Sequence, residues 1–193
     1  MKKIDFPIFE AGHPVPYKEL SFKFPKFISD DILQDIPVFF TGGDPALNKG
    51  FELFFIEISK YSIIPVIETI VPKNESIMIF LNSVINTINE SYRGTKAVLK
   101  LHVGSSSEHS RKAHFGSVVS LSEISKSFTR FPTLINEAKP ILVFDASLPF
   151  DAGKIATLFP PETFAIEIRK DQQTLDFFDD TSIRKLGYSI FSA

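Results

Sequence analysis

The sequence predicts an α/β fold in which strands and helices alternate about six times, as in an incomplete (β/α)6 TIM-like barrel. Short apolar runs bounded by proline or glycine, typical of buried strands, alternate with segments of helical apolar period. Polar side chains recur at the predicted strand ends, where barrels bind ligands, and this favours a barrel over the alternative, a flat doubly wound sheet. These polar positions are residues 41–44, Glu68, residues 102–107, Asp145 and Glu167.

The length and composition of the chain limit what it can be. Its 193 residues fit one domain spanning residues 1–193, and a net charge of -2 without blocks of like charge indicates no nucleic-acid footprint. The absence of cysteine excludes disulfides, thiolate metal sites and cysteine nucleophiles. No apolar segment approaches the roughly 18 residues of a membrane span, and Asp5 and Pro7 interrupt any secretory signal. We therefore expect a cytoplasmic protein that does not bind membranes.

Proline and capping signals define the first elements. Residues 4–9 are predicted to form a strand, and two X-Pro pairs predict an extended loop without a helix over residues 11–20. Ser29 is expected to cap a short helix, and residues 38–41 to form the next strand. The apolar face of that helix would consist of Ile32, Leu33 and Ile36.

A glycine pair, an acid and a proline follow the second strand directly. In the sequence Gly42-Gly43-Asp44-Pro45, the pair lets backbone N–H groups approach a ligand that a side chain would push away. Asp44 can fix the turn or hold an ammonium group, and both interpretations stay open. The helix after the turn has one apolar face, formed by Phe51, Phe54, Phe55 and Ile58.

The middle of the chain alternates buried strands with capped helices. Residues 63–70 form an apolar run typical of a strand buried on both faces, and Asn74 is expected to cap a longer helix. Residues 97–103 alternate with a period of two, which places Lys100 and His102 on one face of a strand. The apolar stripe of the longer helix is Ile77, Leu81, Val84 and Ile88.

Serine and aspartate residues mark the later helix starts. Ser107 is expected to cap a short helix that contains Arg111, Ser120-Leu121-Ser122-Glu123 is a capping box, and Asp151 caps another helix. The run Ser105-Ser106-Ser107 could cradle a phosphate at its helix N-terminus, or it could simply begin the helix. Further strands are predicted over residues 140–145, 164–168 and 187–191, and a helix over residues 181–186.

Two groups of ionisable residues are candidates for chemistry. The first group is His102, His109 and His114 with Glu108, but the i, i+5 step from His109 to His114 differs from the i, i+4 step of an H-E-x-x-H zinc site, so no metal site is predicted. The second group consists of the strand-end acids Glu68, Asp145 and Glu167. They could converge as acid and base groups if burial separates their pKa values. Alternatively, they could cap helices or pair with Lys100 and Arg169.

Three stretches, taken in order, resemble the radical S-adenosylmethionine (radical SAM) enzymes. They are Gly-Gly-Asp-Pro-x-Leu-Asn over residues 42–48, Ile-Glu-Thr-Ile-Val-Pro-Lys over residues 67–73, and His-Val-Gly-Ser-Ser-Ser-Glu over residues 102–108, followed by Arg111. Residues 150–159, 164–168 and 186–188 also resemble the branch that methylates ribosomal-RNA adenosine. The similarity runs from about Phe9 to the C-terminus and implies a partial barrel of the radical-SAM type.

The resemblance implies that the family's metal cofactor is lost. Family members bind a [4Fe–4S] cluster through three cysteines spaced C-x3-C-x2-C, and the match places His13, Tyr17 and Leu20 at those positions. Leu20 has no ligand atom, and two hard ligands do not hold such a cluster. Radical cleavage of S-adenosylmethionine is therefore not expected.

The resemblance also implies an ancestral site for S-adenosylmethionine. In the family, a glycine turn with an acid holds the methionine amine, and the next strand and helix contact the rest of the ligand. His102 stands where this branch has a serine, which weakens that contact. The matching positions here are Gly42, Gly43, Asp44, His102, Ser105 and Arg111.

Two functions follow from the resemblance. The first is a non-catalytic protein without a cofactor that keeps the fold as a binding or partner subunit, beside an active enzyme or within an RNA–protein assembly. The second is a cluster-free enzyme that binds S-adenosylmethionine or a nucleotide at the barrel mouth through Asp44, His102 and Glu68. The sequence leaves the ligand, the partner and the oligomeric state open.

Overall fold

The computed structural model of this protein describes residues 4–28, 36–70, 75–91, 97–130, 140–169 and 180–192. The chain divides into two compact units. The first unit contains Met1–Thr69 and Ser76–Val98, and the second contains Ile70–Glu75 and Leu99–Ala193. The expectation of one domain over residues 1–193 stays a prediction.

Parallel strands joined by helices build the described part of the first unit. In chain order its elements are β1 (Ile4–Pro7), β2 (Phe9–Glu10), β3 (His13–Pro14), α1 (Tyr17–Phe27), β4 (Ile36–Thr41), a 3-10 turn (Pro45–Leu47), α2 (Phe51–Ile58), β5 (Ile63–Ile70) and α3 (Glu75–Ser91). β1 pairs in parallel with β4, with Ile4 opposite Val38. β4 pairs in parallel with β5, with Ile36 opposite Ile63.

A β-hairpin made of β2 and β3 precedes α1, and the sequence did not predict it. Glu10 pairs with His13, and the residues between them, Ala11 and Gly12, have φ values of 49° and 79°. Positive φ at both central residues is what a two-residue hairpin turn of type I′ requires. The first strand therefore ends at Pro7, and the next residues enter the hairpin.

The prediction of a helix-free loop over residues 11–20 is wrong. α1 begins at Tyr17, directly after Pro16, whose backbone is extended (φ -62°, ψ 147°). A proline disfavours the helical conformation in the residue before it, not in the residue after it. Pro16 therefore ends the extended segment and allows a helix to start at the next residue.

The second strand also begins earlier than predicted. β4 starts at Ile36, so this residue lies in a strand and not on the apolar face of the predicted short helix. Ser29, Ile32 and Leu33 lie outside the described residues, and so does Asn74. On α3, the predicted residues Leu81, Val84 and Ile88 are buried, whereas the side chain of Ile77 is not among those described.

Phenylalanine side chains form the core of the first unit. The ring centroid of Phe6 in β1 lies 5.0 Å from that of Phe24 in α1 and 5.7 Å from that of Phe54 in α2. Aromatic pairs at such separations contribute about 0.5–1.5 kcal/mol beyond the area they bury. The predicted apolar face of α2 is confirmed, because its four members are buried: Phe51, Phe54, Phe55 and Ile58.

The second unit repeats the parallel arrangement. Its described elements are β6 (Val98–Gly104), α4 (Glu108–Phe115), α5 (Leu121–Thr129), β7 (Ile141–Asp145), α6 (Ala152–Leu158), β8 (Ala165–Arg169), α7 (Asp180–Lys185) and β9 (Ile190–Ser192). β6 pairs with β7, β7 with β8 and β8 with β9, all in parallel. Parallel strands alternating with helices confirm the predicted α/β fold. No helix in the described ranges is long and apolar enough to cross a membrane.

The predicted helix starts of the second unit are confirmed. Ser107 caps α4, and Asp151 caps α6 through a hydrogen bond from the N–H of Lys154. Ser120 and Glu123 form the predicted capping box, in which each side chain accepts a hydrogen bond from the other residue's N–H. Such local caps depend on residues within one helical turn, so the sequence alone identifies them.

Candidate functional sites

The glycine turn of the first unit is filled by Phe9. Gly42 has φ of 92°, and a Cβ at this position would lie 2.8 Å from the carbonyl oxygen of Phe9. A Cβ on Gly43 would lie 2.7 Å from the Phe9 ring. Real Cβ atoms essentially never approach other atoms so closely. The glycine pair thus makes room for a residue of the protein itself.

Asp44 fixes this turn. Its Oδ1 accepts hydrogen bonds from the N–H of Ala46 at 2.9 Å and from the hydroxyl of Thr69 at 2.7 Å. It also caps the 3-10 turn that follows. Of the two interpretations of this acid, turn formation is the one that these contacts support.

Asn48 is a structural residue that the sequence reasoning did not single out. It is 3% exposed, and its Nδ2 donates to the carbonyls of Ile8 at 2.9 Å and Val15 at 3.1 Å. Its Oδ1 accepts from the N–H of Gly50 at 2.9 Å. Asn48 therefore fastens both ends of the hairpin to the glycine turn. The sequence feature that could have pointed to Asn48 is its position at the end of the stretch over residues 42–48 on which the family resemblance rests.

The three positions that the resemblance matches to cluster cysteines have ordinary roles in the fold. His13 is exposed at the end of the hairpin, and Leu20 is 0% exposed in the core. The hydroxyl of Tyr17 donates to Glu57 at 2.9 Å. An exposed imidazole, a bonded phenol and a buried leucine do not fit an iron–sulfur cluster.

Glu57 links α2 to α1. The Ser21 hydroxyl donates to its Oε2 at 2.5 Å, beside the hydrogen bond from Tyr17. The Ser21 hydrogen bond is the largest cause that lowers the pKa of Glu57, although partial burial opposes it. The acid is therefore held ionised at the helix contact.

Five ionisable side chains lie on one face of the strands in the second unit, and we call them the polar face. Nε2 of His102 and Oδ1 of Asp145 are 3.2 Å apart. Glu167 is 4% exposed at its side chain and forms ion pairs with Lys100 and with Arg169, whose Nη2 donates to Oε1 at 3.1 Å. The register supports this arrangement, since Asp145 lies opposite Arg169. The members are Lys100, His102, Asp145, Glu167 and Arg169.

These contacts show which of the three predicted strand-end acids pair with cations. Glu167 lies in the middle of β8 rather than at its end, and it pairs with Lys100 and Arg169 as the second interpretation expected. Asp145 ends β7 and contacts His102. Glu68 lies within β5 of the first unit.

Gly104 lets β6 pass close to Asp145 and Phe115. Its φ is 67°, and a Cβ at this position would lie 2.7 Å from the ring of Phe115 and 3.2 Å from Oδ2 of Asp145. The pairing of β6 with β7 is irregular between His102 and Gly104. Oδ2 of Asp145 is buried and has no hydrogen-bond partner among the described residues.

The serine run fastens a neighbouring loop. Ser105 is 0% exposed, and its Oγ donates to the carbonyl of Pro149 at 2.7 Å and accepts from the N–H of Ser107 at 3.0 Å. Oγ of Ser106 accepts from the N–H of Asp151 at 2.8 Å. Ser107 caps α4 by accepting a hydrogen bond from the N–H of Ser110, so the run begins the helix and also holds this loop.

Arg111 is a buried cation. It is 1% exposed, and within the described part of the chain its Nε and Nη1 have no hydrogen-bond partner. Burial lowers its pKa to about 10, against the opposing attraction of Glu108. His109 and His114 are exposed on the same helix, and the described residues contain no group of three or more His, Asp or Glu side chains that could hold a metal.

Comparisons with known proteins give a fold but no sequence family. No protein-family model matches the chain, and no curated protein matches it. The crystal structure of Streptococcus suis SuiB is similar over 99% of this chain and 48% of its own, with a TM-score of 0.61 and 12% identity. Streptococcus suis SuiB bound to S-adenosylmethionine is similar over 96% of this chain and 42% of its own, with a TM-score of 0.59 and 13% identity.

These likenesses concern the fold. They confirm the predicted α/β fold, and the relation to the radical SAM enzymes stays a prediction. The chain spans less than half the length of the two solved structures it matches. Closure into a barrel and the relation to the branch that methylates ribosomal-RNA adenosine stay predictions.

Proposed function

We propose that this protein is a non-catalytic relative of the radical SAM enzymes that acts as a binding or partner subunit. One observation supports this most: Phe9 occupies the space that the glycine pair opens, with its ring 2.7 Å from a Cβ built on Gly43. In the family this turn holds the methionine amine. A turn closed by the protein's own side chain supports a role in folding rather than in cofactor binding.

The former cluster loop supports the same proposal. His13 is exposed, Tyr17 donates to Glu57, and Leu20 lies in the core. Each residue now contributes to the hairpin, to the helix contact or to the packing. A loop rebuilt in this way keeps the fold without the chemistry, as expected for a subunit that serves another molecule.

Anaerobic reconstitution with iron and sulfide tests the absence of a cluster. The native chain should bind no stoichiometric cluster and should show no visible absorption typical of [4Fe–4S]. A triple variant, His13→Cys, Tyr17→Cys and Leu20→Cys, is the matched control, because it restores the three soft ligands. A stoichiometric cluster in the native chain would overturn the proposal.

Calorimetry with S-adenosylmethionine tests the closed turn. The native chain should show no binding up to millimolar ligand, and Phe9→Ala should be the variant in which any binding first appears, because it empties the space above Gly43. Micromolar binding by the native chain would contradict a purely structural turn. Phe22→Ala, which removes an exposed phenylalanine of the same unit, is the control.

A second candidate is a cluster-free enzyme or ligand-binding protein that uses the polar face. The observation that favours it is the contact of His102 with Asp145 at 3.2 Å, because a carboxylate that orients an imidazole is a common arrangement for a general base. Here His102 would move a proton, and Lys100 with Arg169 would hold an anionic group. Asp44 and Glu68, which the sequence suggested for this role, belong to the first unit, and this candidate does not use them.

Nucleotide titration with a matched histidine pair separates this candidate from the first. Binding of ATP or S-adenosylmethionine to the native chain that is lost in His102→Ala, but kept in His109→Ala, would support the second candidate. No binding of either ligand up to millimolar would remove it. The expected partners, an active enzyme or an RNA–protein assembly, stay predictions, and so does a cytoplasmic location.

A further inference from the structure

Four exposed apolar side chains lie on three helices of the first unit. Phe22 of α1 is 65% exposed, Leu53 and Ile56 of α2 are 58% and 47% exposed, and Ile79 of α3 is 60% exposed. Single exposed apolar residues are ordinary, but a contiguous patch of a few hundred Å² marks an interaction site. We call these four residues the outer stripe.

Contacts on both sides of α2 show that the three helices are neighbours. Glu57 of α2 accepts hydrogen bonds from Tyr17 and Ser21 of α1. On the other side of α2, Glu52 accepts a hydrogen bond from Ser83 of α3 at 2.5 Å. α2 therefore lies between α1 and α3.

The helical period directs the members of the outer stripe away from the core. α2 buries four residues on one face, so at about 100° per residue Leu53 and Ile56 point to the opposite side. Ser21 of α1 and Ser83 of α3 face α2, as their hydrogen bonds show. Phe22 is next to Ser21, and Ile79 lies one turn before Ser83. Phe22 and Ile79 therefore flank α2 on this outer side. With neighbouring axes about 8–10 Å apart, the stripe is about 20 Å wide.

Lysines border the outer stripe on α1 and α2. Lys18 and Lys26 lie one turn before and one turn after Phe22, both are exposed, and Nζ of Lys26 is 3.6 Å from the Phe22 ring centroid. Lys60, just beyond the end of α2, is exposed and pairs with Glu57 at 3.7 Å. The acids of α2 face sideways, because Glu52 and Glu57 are bonded to the hydroxyls of the adjacent helices. Glu19, one turn before Phe22, is also exposed, but it pairs with Lys23 at 2.6 Å, so the net charge of the border comes from Lys18 and Lys26.

We propose that the outer stripe binds an acidic amphipathic helix of a partner protein. Such a helix would lay apolar side chains at positions i, i+3, i+4 and i+7 on Leu53, Ile56 and their neighbours, and its carboxylates would meet Lys18 and Lys26. A width of about 20 Å corresponds to roughly 13 helical residues. This inference rests on the proposed role as a partner subunit and specifies the partner's chemistry.

Other occupants fit the surface less well. A second copy of the chain would set the lysine borders of two stripes against each other, and like charges at an interface oppose association. An anionic membrane surface is recognised by clusters of about four to eight basic residues, more than the three lysines at this border. The apolar stripe with few, spaced cations favours a protein helix.

A designed peptide tests the inference directly. The probe is a fluorescent helical peptide of about 18 residues, with leucine at positions i, i+3, i+4 and i+7 and glutamate elsewhere, and its counterpart has lysine in place of glutamate. We expect the acidic peptide to bind in the micromolar range and the basic one at least tenfold more weakly. The double variant Leu53→Ser with Ile56→Ser should weaken binding about tenfold or more. Leu186→Ser, an exposed leucine of the second unit, is the matched control and should leave it unchanged.

Charge reversal and two further measurements complete the test. Lys18→Glu with Lys26→Glu should reverse the preference between the two peptides. Equal binding of both peptides, or stripe variants that bind like the native chain, would refute the inference. A dimer in light scattering that the serine variants break, or binding to phosphatidylserine vesicles that they abolish, would assign the stripe to another occupant and also refute it. None of these results depends on cluster reconstitution, so the two proposals can fail separately.

Discussion

The ring of Phe9 lies directly against Gly43, where a Cβ would approach a ring carbon to 2.7 Å. The carbonyl of the same phenylalanine lies against Gly42, 2.8 Å from a Cβ built there. One residue of the hairpin therefore accounts for both glycines, although only Gly42 has positive φ. The two positions should respond differently to substitution.

Gly42→Ala should lower the free energy of unfolding by about 3 kcal/mol. An alanine is strained at a φ of 92°, and its Cβ would also clash with the carbonyl oxygen of Phe9. Gly43→Ala should cost about 1 kcal/mol, because the half-buried Phe9 ring can move aside. Urea unfolding with a double-mutant cycle checks both values. Phe9→Ala should relieve the cost at Gly43 but not at Gly42, and equal relief at both would contradict this account.

Asn48→Ala should destabilise the protein by about 3 kcal/mol. The change leaves two carbonyls and one N–H without their buried partner, and each unsatisfied group costs about 1–3 kcal/mol before relaxation. The hairpin should loosen first, which hydrogen exchange at the N–H of Val15 would detect. Asn86→Ala, on the exposed face of α3, should change stability by less than about 0.5 kcal/mol.

Ser21→Ala should destabilise the protein by about 1 kcal/mol at pH 7, because the hydrogen bond to ionised Glu57 is lost. The lowered pKa of Glu57 means that this stability is fully present above its ordinary value of 4.5. It is lost as the pH falls through the lowered pKa of the folded state.

Urea midpoints of the native chain and Ser21→Ala at pH 7 and pH 3 check this linkage. The difference between them should shrink at the lower pH, while Ser127→Ala should show a small effect that does not depend on pH. A Ser21→Ala penalty that grows on acidification would contradict the proposed role of the Glu57 charge.

Arg111→Met should leave the stability unchanged or raise it by up to about 2 kcal/mol. Methionine fills much of the same space without a buried charge, and such replacements are often neutral or stabilising. Arg111→Ala should instead cost about 2 kcal/mol or more, because it leaves a cavity. Urea unfolding distinguishes the two. A large loss in Arg111→Met would show that the guanidinium has an acceptor that stabilises it.

Much of the fold could be predicted because its signals are local. The capping residues Ser107, Ser120 and Asp151 act within one turn of their helices, and the apolar face of α2 follows from a 3.6-residue period. The hairpin and the start of α1 could not be predicted, because two adjacent X-Pro pairs indicate an extended chain up to Pro16 and carry no signal of the pairing or of the helix that follows. A proline restricts the residue before it and has no N–H of its own, but it lets a helix begin at the next residue.

The candidate sites were less predictable. A Gly-Gly turn that leaves room for a ligand and one that leaves room for a side chain of the protein look alike in the sequence. Here the residue that fills the space is Phe9, 33 positions before Gly42. Likewise, period-two alternation placed Lys100 and His102 on one face, but their partners depend on the register of three strands. Such choices need the register and the packing together.

By itself, the sequence determined the alternation of strands and helices, the helix caps and the absence of cysteine. These are properties of composition and of residues only a few positions apart. The tertiary structure alone decided that Phe9 closes the glycine turn, that Glu57 joins α1 to α2, and that His102 meets Asp145. Those contacts join residues dozens of positions apart, and their geometry exists only once the parallel strands have set their register and the helices have packed.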